Sequence, residues 1–312
     1  MTTVEILTPG VGAWTRLITA SKIPGLFNAS KYSSPVKEFH LLRGEIDPDG
    51  TNDAIERGQD FEPIIIARFF RRHPELERLP SASISRPGLE SWAAATPDAI
   101  ARHRETGEVF TVEAKTDGRG DYQWGPNGSA EIPMGYYLQK QWQLHHRGVR
   151  RGYVICLGPF YVETEHIITY DAGLASDVVE FAYKFWRNAM DPDGVPPDVD
   201  GHIETYNAIR RAHPEIDRGQ HEDWPVSFDL AREFEAAVAG LDAAEERLNL
   251  ARSSLLRVMG RARRAIVGHG KNKQVVATRQ PTKNGAAALY KFRKPIDWTA
   301  AALPPVEEPA KS

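Results

Sequence analysis

The chain has 312 residues, 41% hydrophobic and 26% charged, an ordinary globular composition that excludes wholesale disorder. Thirty-nine Lys and Arg against 42 Asp and Glu leave a net charge of −3, so there is no chain-wide basic field. Nucleic-acid contact would have to come from a local basic surface, or from a metal that offsets phosphate charge. The single cysteine, Cys156, excludes an intramolecular disulfide, a cysteine-based zinc site and a four-cysteine iron–sulfur cluster. No apolar run reaches the roughly 18 residues that span a bilayer, and the N-terminus lacks a signal-peptide pattern. The expectation is a cytoplasmic protein without membrane contact.

In chain order, the first fifty residues mix Pro, Gly and Ser with short apolar stretches. The pattern from Ile55 to Arg72 predicts a helix, with Pro63 kinking it or marking a start nearby. Segments 81–86 and 91–96 alternate as strands do. Val109 to Lys115 predicts a strand with Val109, Thr111 and Glu113 on one face and Phe110, Val112 and Ala114 on the other. Residues 117–135 read as a long Gly-rich surface loop, a place where function concentrates. A helix over 136–146 closes at Gly148, and strands 152–157 and 161–168 flank a Gly158-Pro159 turn. A helix over 172–190 precedes a Pro- and Gly-rich break.

This order predicts a mixed sheet with helices on both faces, an α/β (α+β) core over 1–200. A linker is expected over 201–228 and a helical, basic extension over 229–300. In that extension Phe234, Leu241, Leu248 and Leu255 recur every seven residues, with Ala237, Ala244, Ala251 and Val258 three residues after each. That is a long amphipathic helix with a Leu/Ala seam, which packs on its own chain or on a partner. A strand over 274–278 and three basic clusters follow: Arg261, Arg263 and Arg264; Lys271 and Lys273; and Lys291, Arg293 and Lys294. Residues 301–312 have the composition of a disordered tail.

The chemistry concentrates in Pro97-Asp98 and Glu113-Ala114-Lys115. Glu113 and Lys115 are two apart on a strand, so both leave one face. Two carboxylates suit Mg²⁺, which takes hard oxygen ligands and keeps several waters; the Ala114 carbonyl can add another oxygen. Such a metal lowers the pKa of a bound water and neutralises charge on a phosphate in flight. Lys115 can hold the attacking water or stabilise the pentavalent phosphorus. An isolated pair of this kind on a strand is also what a solvated face looks like.

The surroundings favour the chemical reading. Arg57, Gly58 and Glu62 form an RGxxxE run, Pro97-Asp98 a PD, Glu113 to Lys115 an ExK, and Tyr136 to Gln139 a YyxQ run. Together with Ile18 to Ser21 upstream, they resemble the YqaJ-like and lambda-type alkaline exonucleases of the PD-(D/E)xK nuclease superfamily. The resemblance runs from about Trp14 to Trp186. It implies a restriction-endonuclease-like fold with a helical C-terminal extension. Asp98 and Glu113 match the metal-binding carboxylates and Lys115 the catalytic lysine. Glu62 matches a helix glutamate that helps bind a second metal, and Gln139 a glutamine lining the site. Ser21 matches a residue that contacts the 5′ phosphate of a DNA end. In direct register Trp14 stands where the family often has a phosphate-anchoring arginine. Arg16 and Lys22 are the nearest cations, and Trp14 either stacks on a terminal base or packs in the core.

The resemblance implies Mg²⁺ (or Mn²⁺), two ions per site, and 5′ to 3′ hydrolysis of duplex DNA from its ends. It also implies a phage-type recombination setting inside a bacterial host cell, a single-strand annealing partner, and a homo-oligomer such as the trimeric ring of lambda-type relatives. Arg119 and Trp124 are candidate DNA contacts in the Gly-rich loop. His145, His146, His166 and Cys156 read as structural. Two alternatives stay open: an endonuclease or repair nuclease of the same superfamily, and a DNA-end-binding protein with a non-catalytic nuclease fold. Replacing Asp98, Glu113 or Lys115 by alanine is expected to abolish cleavage and leave folding intact.

Overall fold

The computed structural model describes residues 12–80, 92–120, 122–213, 223–282, 285–292 and 295–302. The chain divides into two compact units, Met1–Ile216 and Asp217–Ser312. Among the described residues no helix is long and apolar enough to cross a membrane.

The first unit begins with a 3-10 turn, Gly12–Arg16, then β1 (Ile18–Thr19), α1 (Ile23–Leu26) and α2 (Pro35–Arg43). Next come α3 (Asp53–Arg72), β2 (Leu76–Leu79), β3 (Ala93–Ala94), β4 (Ala99–His103) and β5 (Val109–Thr116). The unit closes with α4 (Met134–Arg147), β6 (Arg151–Leu157), β7 (Glu163–Thr169), α5 (Ala172–Met190) and α6 (Ile203–Ala212). The main sheet has the order β2-β4-β5-β6-β7. Only β5 and β6 pair in parallel; the other pairs are antiparallel. A parallel pair needs a crossover, and α4 supplies it. β1 pairs in parallel with β3 in a separate two-stranded sheet. This is a restriction-endonuclease-like α/β arrangement, a mixed sheet flanked by helices.

Alternation along β5 sorts the two faces. Phe110 and Val112 pack with Ile155 of β6 against Ile65, Ile66 and Phe69 of α3. The larger apolar cluster joins Leu138 and Trp142 of α4 with Phe39 and Leu42 of α2 and Val178 and Phe185 of α5. Thr111 and Glu113 leave the opposite side of β5 from Val112, and α4 meets them there.

Several expectations change. α3 runs through Pro63 without ending, because the missing N–H would have bonded the Gln59 carbonyl, and both residues are exposed to water. Its start is fixed by Asn52, whose side chain accepts from the Ala54 and Ile55 N–H groups. The expected strand 81–86 lies outside the described residues. Within 92–96 only Ala93–Ala94 forms a strand, paired with β1 rather than the main sheet. The central partner of β5 is β4, whose Ala99-Ile100-Ala101 run was taken with the turn. α2 was also not anticipated, although Ser34 caps its start and Gly44, at φ 73°, ends it in the left-handed conformation. The segment 203–212, placed in a linker, is α6. The turn after β6 is a 3-10 turn, Pro159–Tyr161, with Phe160 and Tyr161 at φ 58° and 61°.

The second unit contains α7 (Phe228–Met259), β8 (Arg264–Val267), β9 (Gln274–Pro281), β10 (Ala287–Lys291) and α8 (Trp298–Ala302). Ser227 caps α7 by accepting from the Leu230 N–H. The strands form an antiparallel sheet in the order β10-β9-β8. Ala265, Ala277 and Leu289 of that sheet pack with Leu255, Leu256 and Met259 at the end of α7. Only β9 was expected. Ala301 and Ala302, assigned to the tail, end α8, while residues 303–312 and the basic pair Arg293 and Lys294 lie outside the described residues.

Candidate active site

The site grows from a break in strand pairing. β4 begins at Ala99, opposite Val112, so the Ala114 N–H of β5 has no β4 residue to bond. The Asp98 carboxylate takes its place, with Oδ2 accepting from the Ala114 N–H at 2.7 Å. The residue before the first strand position thus becomes a side-chain extension of the ladder, fixed beside Glu113 and Lys115.

Glu113 is the hub. It is 5% exposed. Its Oε1 accepts from Lys115 Nζ and Gln139 Nε2, both at 2.7 Å. Its Oε2 accepts from Gln143 Nε2 at 2.7 Å. Gln139 and Gln143 are four apart on α4 and so share one face. Lys140, 1% exposed, sits among them. Its ammonium donates to Gln143 Oε1 at 3.1 Å and to the Thr111 carbonyl at 3.4 Å. Lys115 also lies over the Tyr136 ring, 5.2 Å from its centroid.

Asp98, Glu113, Lys115, Gln139 and Glu62 of α3 line one cleft of about 780 Å³, joined by Arg78, Ser21 and Trp14. The crowding shows in the titration. Burial and then the Glu113 charge push Asp98 up to about 8, against Lys115. Burial and Glu113 also raise Glu62. Burial would raise Glu113, but Lys115, Lys140 and the Gln143 hydrogen bond outweigh it and hold this carboxylate below its ordinary range. Burial would lower Lys115, yet Glu113 and Asp98 keep it raised and cationic. Burial brings Lys140 down to about 8, partly offset by Glu113.

Among the described residues no three His, Cys, Asp or Glu side chains stand close enough to form a metal cage. The cleft instead offers separate carboxylates with oxygen donors only. That chemistry fits a hard divalent cation that keeps several of its waters. The raised Asp98 and Glu62 mark repulsion that a cation would relieve.

The candidate DNA contacts divide. Ser21 is exposed at the cleft, its hydroxyl 3.0 Å from that of Thr19. Trp14 is half-buried in the cleft wall. Lys22 is buried; its ammonium donates to the Thr15 and Leu17 carbonyls at 2.7 and 2.9 Å and lies over the Trp14 ring. Burial brings it down to about 8. Lys22 therefore braces the turn that carries Trp14. Arg16 is exposed, and its carbonyl accepts from Trp186 Nε1 at 2.9 Å. Arg119 is exposed on the loop after β5. Trp124 of that loop turns inward, donating to Asp117 Oδ2 at 3.2 Å and stacking on Tyr136. The loop is pinned at its far side too, where the Gly128 N–H bonds the Glu165 carbonyl.

The histidines hold structure: His145 pairs with the Tyr170 hydroxyl, His146 with the Trp142 carbonyl, and His166 with Ser129 and Thr164. Cys156 is buried and its thiol is pushed up to about 12 by burial. Sequence reasoning missed Lys140, Gln143 and Arg78. The repeat of Gln139, Gln141 and Gln143 around Lys140 was the available signal for the first two.

Residues 12–150 match the YqaJ-like viral recombinase domain, a span that includes every cleft residue named above. The N-terminal unit carries a YqaJ-like domain. Through it the chain joins the PD-(D/E)xK nucleases at the level of the superfamily. Among solved structures the chain is similar to LHK-Exo, an alkaline exonuclease from Laribacter hongkongensis, at 15% identity and a TM-score of 0.40, covering 64% of this chain and 95% of that one. The same protein in complex with dAMP gives 15% and 0.41, with the same coverage. The protein SSO0001 gives 16% and 0.35, covering 58% of this chain and 87% of that one. Comparison with curated proteins finds no match.

Proposed function

We propose that the YqaJ-like domain hydrolyses phosphodiester bonds at the ends of duplex DNA, running 5′ to 3′ and leaving 3′ single strands for recombination by strand annealing. The observation that carries this reading is the meeting of Asp98, Glu113, Lys115 and Gln139 with Glu62 in one cleft. Asp98, Glu113, the Ala114 carbonyl and Glu62 are the groups that would hold Mg²⁺ or Mn²⁺, as two ions. Such ions supply a lowered water pKa and neutralise phosphate charge. The side chains do the rest. Gln139 and Gln143 fix both oxygens of Glu113 in orientation. Lys115, kept cationic by Glu113 and Asp98, orients the attacking water and faces the charge that develops on phosphorus. Ser21 and Arg16, exposed near Trp14, receive the terminal phosphate. The viral-recombinase description of the matched domain agrees with an annealing protein as partner.

The test is digestion with Mg²⁺ of a linear duplex labelled at one 5′ or one 3′ end, with and without a 5′ phosphate, beside a covalently closed circle. The expected result is loss of the 5′ label as mononucleotide, a retained 3′ strand and an intact circle. Cutting of the circle would make the protein an endonuclease. Tight end binding without hydrolysis in Mg²⁺ or Mn²⁺ would make it a non-catalytic end binder.

A further inference from the structure

A second cavity, of about 460 Å³, opens beside the cleft and shares Trp14, Ser21, Lys115 and Gln139 with it. Its size falls in the range of small-molecule sites, about 300–1,000 Å³. Its walls are aromatic, with Tyr32, Tyr122, Tyr136 and Trp14. Tyr122 and Tyr136 lie 5.3 Å apart between ring centroids. The catalytic chemistry proposed above uses none of the three tyrosines.

In this aromatic surround stands one buried carboxylate. Glu38, 4% exposed, lines the cavity from α2. Its Oε1 accepts from the Ser33 hydroxyl at 2.6 Å. Gly25 leaves room for that arrangement, since a Cβ there would come within 2.8 Å of Glu38 Oε1 and of Ser33 Oγ. The other oxygen, Oε2, is buried with no hydrogen-bond partner among the described residues. Lys22 is an electrostatic neighbour, but its ammonium bonds the Thr15 and Leu17 carbonyls. Burying an acceptor without a donor is costly, so one fixed in place beside an open cavity asks for a ligand that donates.

We infer that this cavity holds the base of the terminal nucleotide, between aromatic rings, with Glu38 Oε2 accepting from the base's exocyclic amine. The inference rests on the nuclease reading above, because a DNA end in the cleft is what brings a base to the cavity mouth. It makes the site selective. Adenine, cytosine and guanine carry an exocyclic amine, whereas thymine presents carbonyl oxygens at its exocyclic positions. Those oxygens would face the Glu38 carboxyl oxygen without a proton between them.

Two measurements on the full chain test this. The first is calorimetric binding of deoxyadenosine, deoxycytidine and thymidine, with 2-deoxyribose as the base-free control. The second is the initial rate of Mg²⁺-dependent digestion of linear duplexes that differ only in the 5′-terminal nucleotide. The expected result is about tenfold or greater preference for the amine-bearing nucleosides over thymidine, the size of a charge-assisted hydrogen bond. The same order should appear in the rates. Glu38→Gln keeps an acceptor for Ser33 but turns the second position into a donor, so the preference should collapse or reverse. Tyr122→Phe should keep the preference, and Tyr122→Ala should weaken every nucleoside. Digestion that proceeds with no dependence on the terminal base, together with equal binding of all three nucleosides, overturns the pocket and leaves the nuclease standing. Selective nucleoside binding without any digestion upholds the pocket and removes the nuclease. A Glu38→Gln protein that melts like the wild type and keeps its preference also overturns the pocket.

Discussion

Replacing Glu113 by alanine should cost stability as well as activity. In sequence terms the change deletes one acidic side chain from a strand. In the structure it removes the acceptor of three donors, Lys115, Gln139 and Gln143. It also strips Lys140, buried among the same groups, of the negative charge that offsets its desolvation. Breaking a buried pair by deleting one partner costs about 3–5 kcal/mol. For a domain of this size, with roughly 2–4 °C per kcal/mol, the melting temperature should fall by on the order of 6–20 °C. Circular-dichroism melting of Glu113→Ala measures it. The companion variant is Lys140→Met, which removes the stranded cation; the double variant should recover a substantial part of the loss. A Glu113→Ala protein that melts within about 2 °C of the wild type would refute the reasoning. So would a double variant no more stable than the sum of the two single changes. The expectation from sequence, that all three site substitutions leave folding intact, is therefore not extended to Glu113.

Asp98→Asn should behave in the opposite way. The amide oxygen can still accept from the Ala114 N–H, and the crowded charge is gone. Because the native carboxyl titrates near 8, above its unfolded value, its ionisation opposes folding as pH rises through that interval. The variant should melt at or above the wild-type temperature near neutral pH, while cleavage falls by roughly 10²–10⁴-fold. Lys115→Ala should lose cleavage to a similar degree, read in the same digestion assay. Gly152→Ala should destabilise by about 1–3 kcal/mol through overpacking. A Cβ there would meet Thr111 Oγ1 at 2.4 Å and Lys140 Cε at 2.9 Å, and urea unfolding reads the cost. His73 pairs with Glu165 and Glu75 at 2.8 and 2.9 Å. Burial would lower it, but the two carboxylates outweigh burial and raise it. Its contribution should be complete below the unfolded value of about 6.5 and vanish as pH rises through the native one. Urea midpoints of wild type and His73→Gln should therefore differ at about pH 5.5 and converge at about pH 9; a constant gap would rule this out.

Local rules carried the reading of the sequence a long way. Period-two alternation put Glu113 and Lys115 on one face of β5, and helical spacing with Gly148 at its end located α4. Both signals depend only on residues close in the chain. Those rules failed where partners are distant. Ala99-Ile100-Ala101 is too short to announce a strand, and it became one by pairing with β5 and β2. Pro63 reads as a helix stop, but its unpaired carbonyl faces water, so packing of Ile65, Ile66 and Phe69 on the sheet decides in favour of the helix.

The sequence by itself determined which groups are available: Asp98, Glu113, Lys115, Glu62 and Gln139, in an order that matches a nuclease. Only the tertiary structure decided that they meet, because the β4–β5 register seats Asp98 on the Ala114 N–H while α3 and α4 bring Glu62 and Gln139 to the same cleft. It alone turned Lys22 and Trp124 inward, set Lys140 and Gln143 behind Glu113, and left one oxygen of Glu38 without a donor. Burial and charge compensation are properties of neighbours far apart in sequence, so no pattern along the chain encodes them locally.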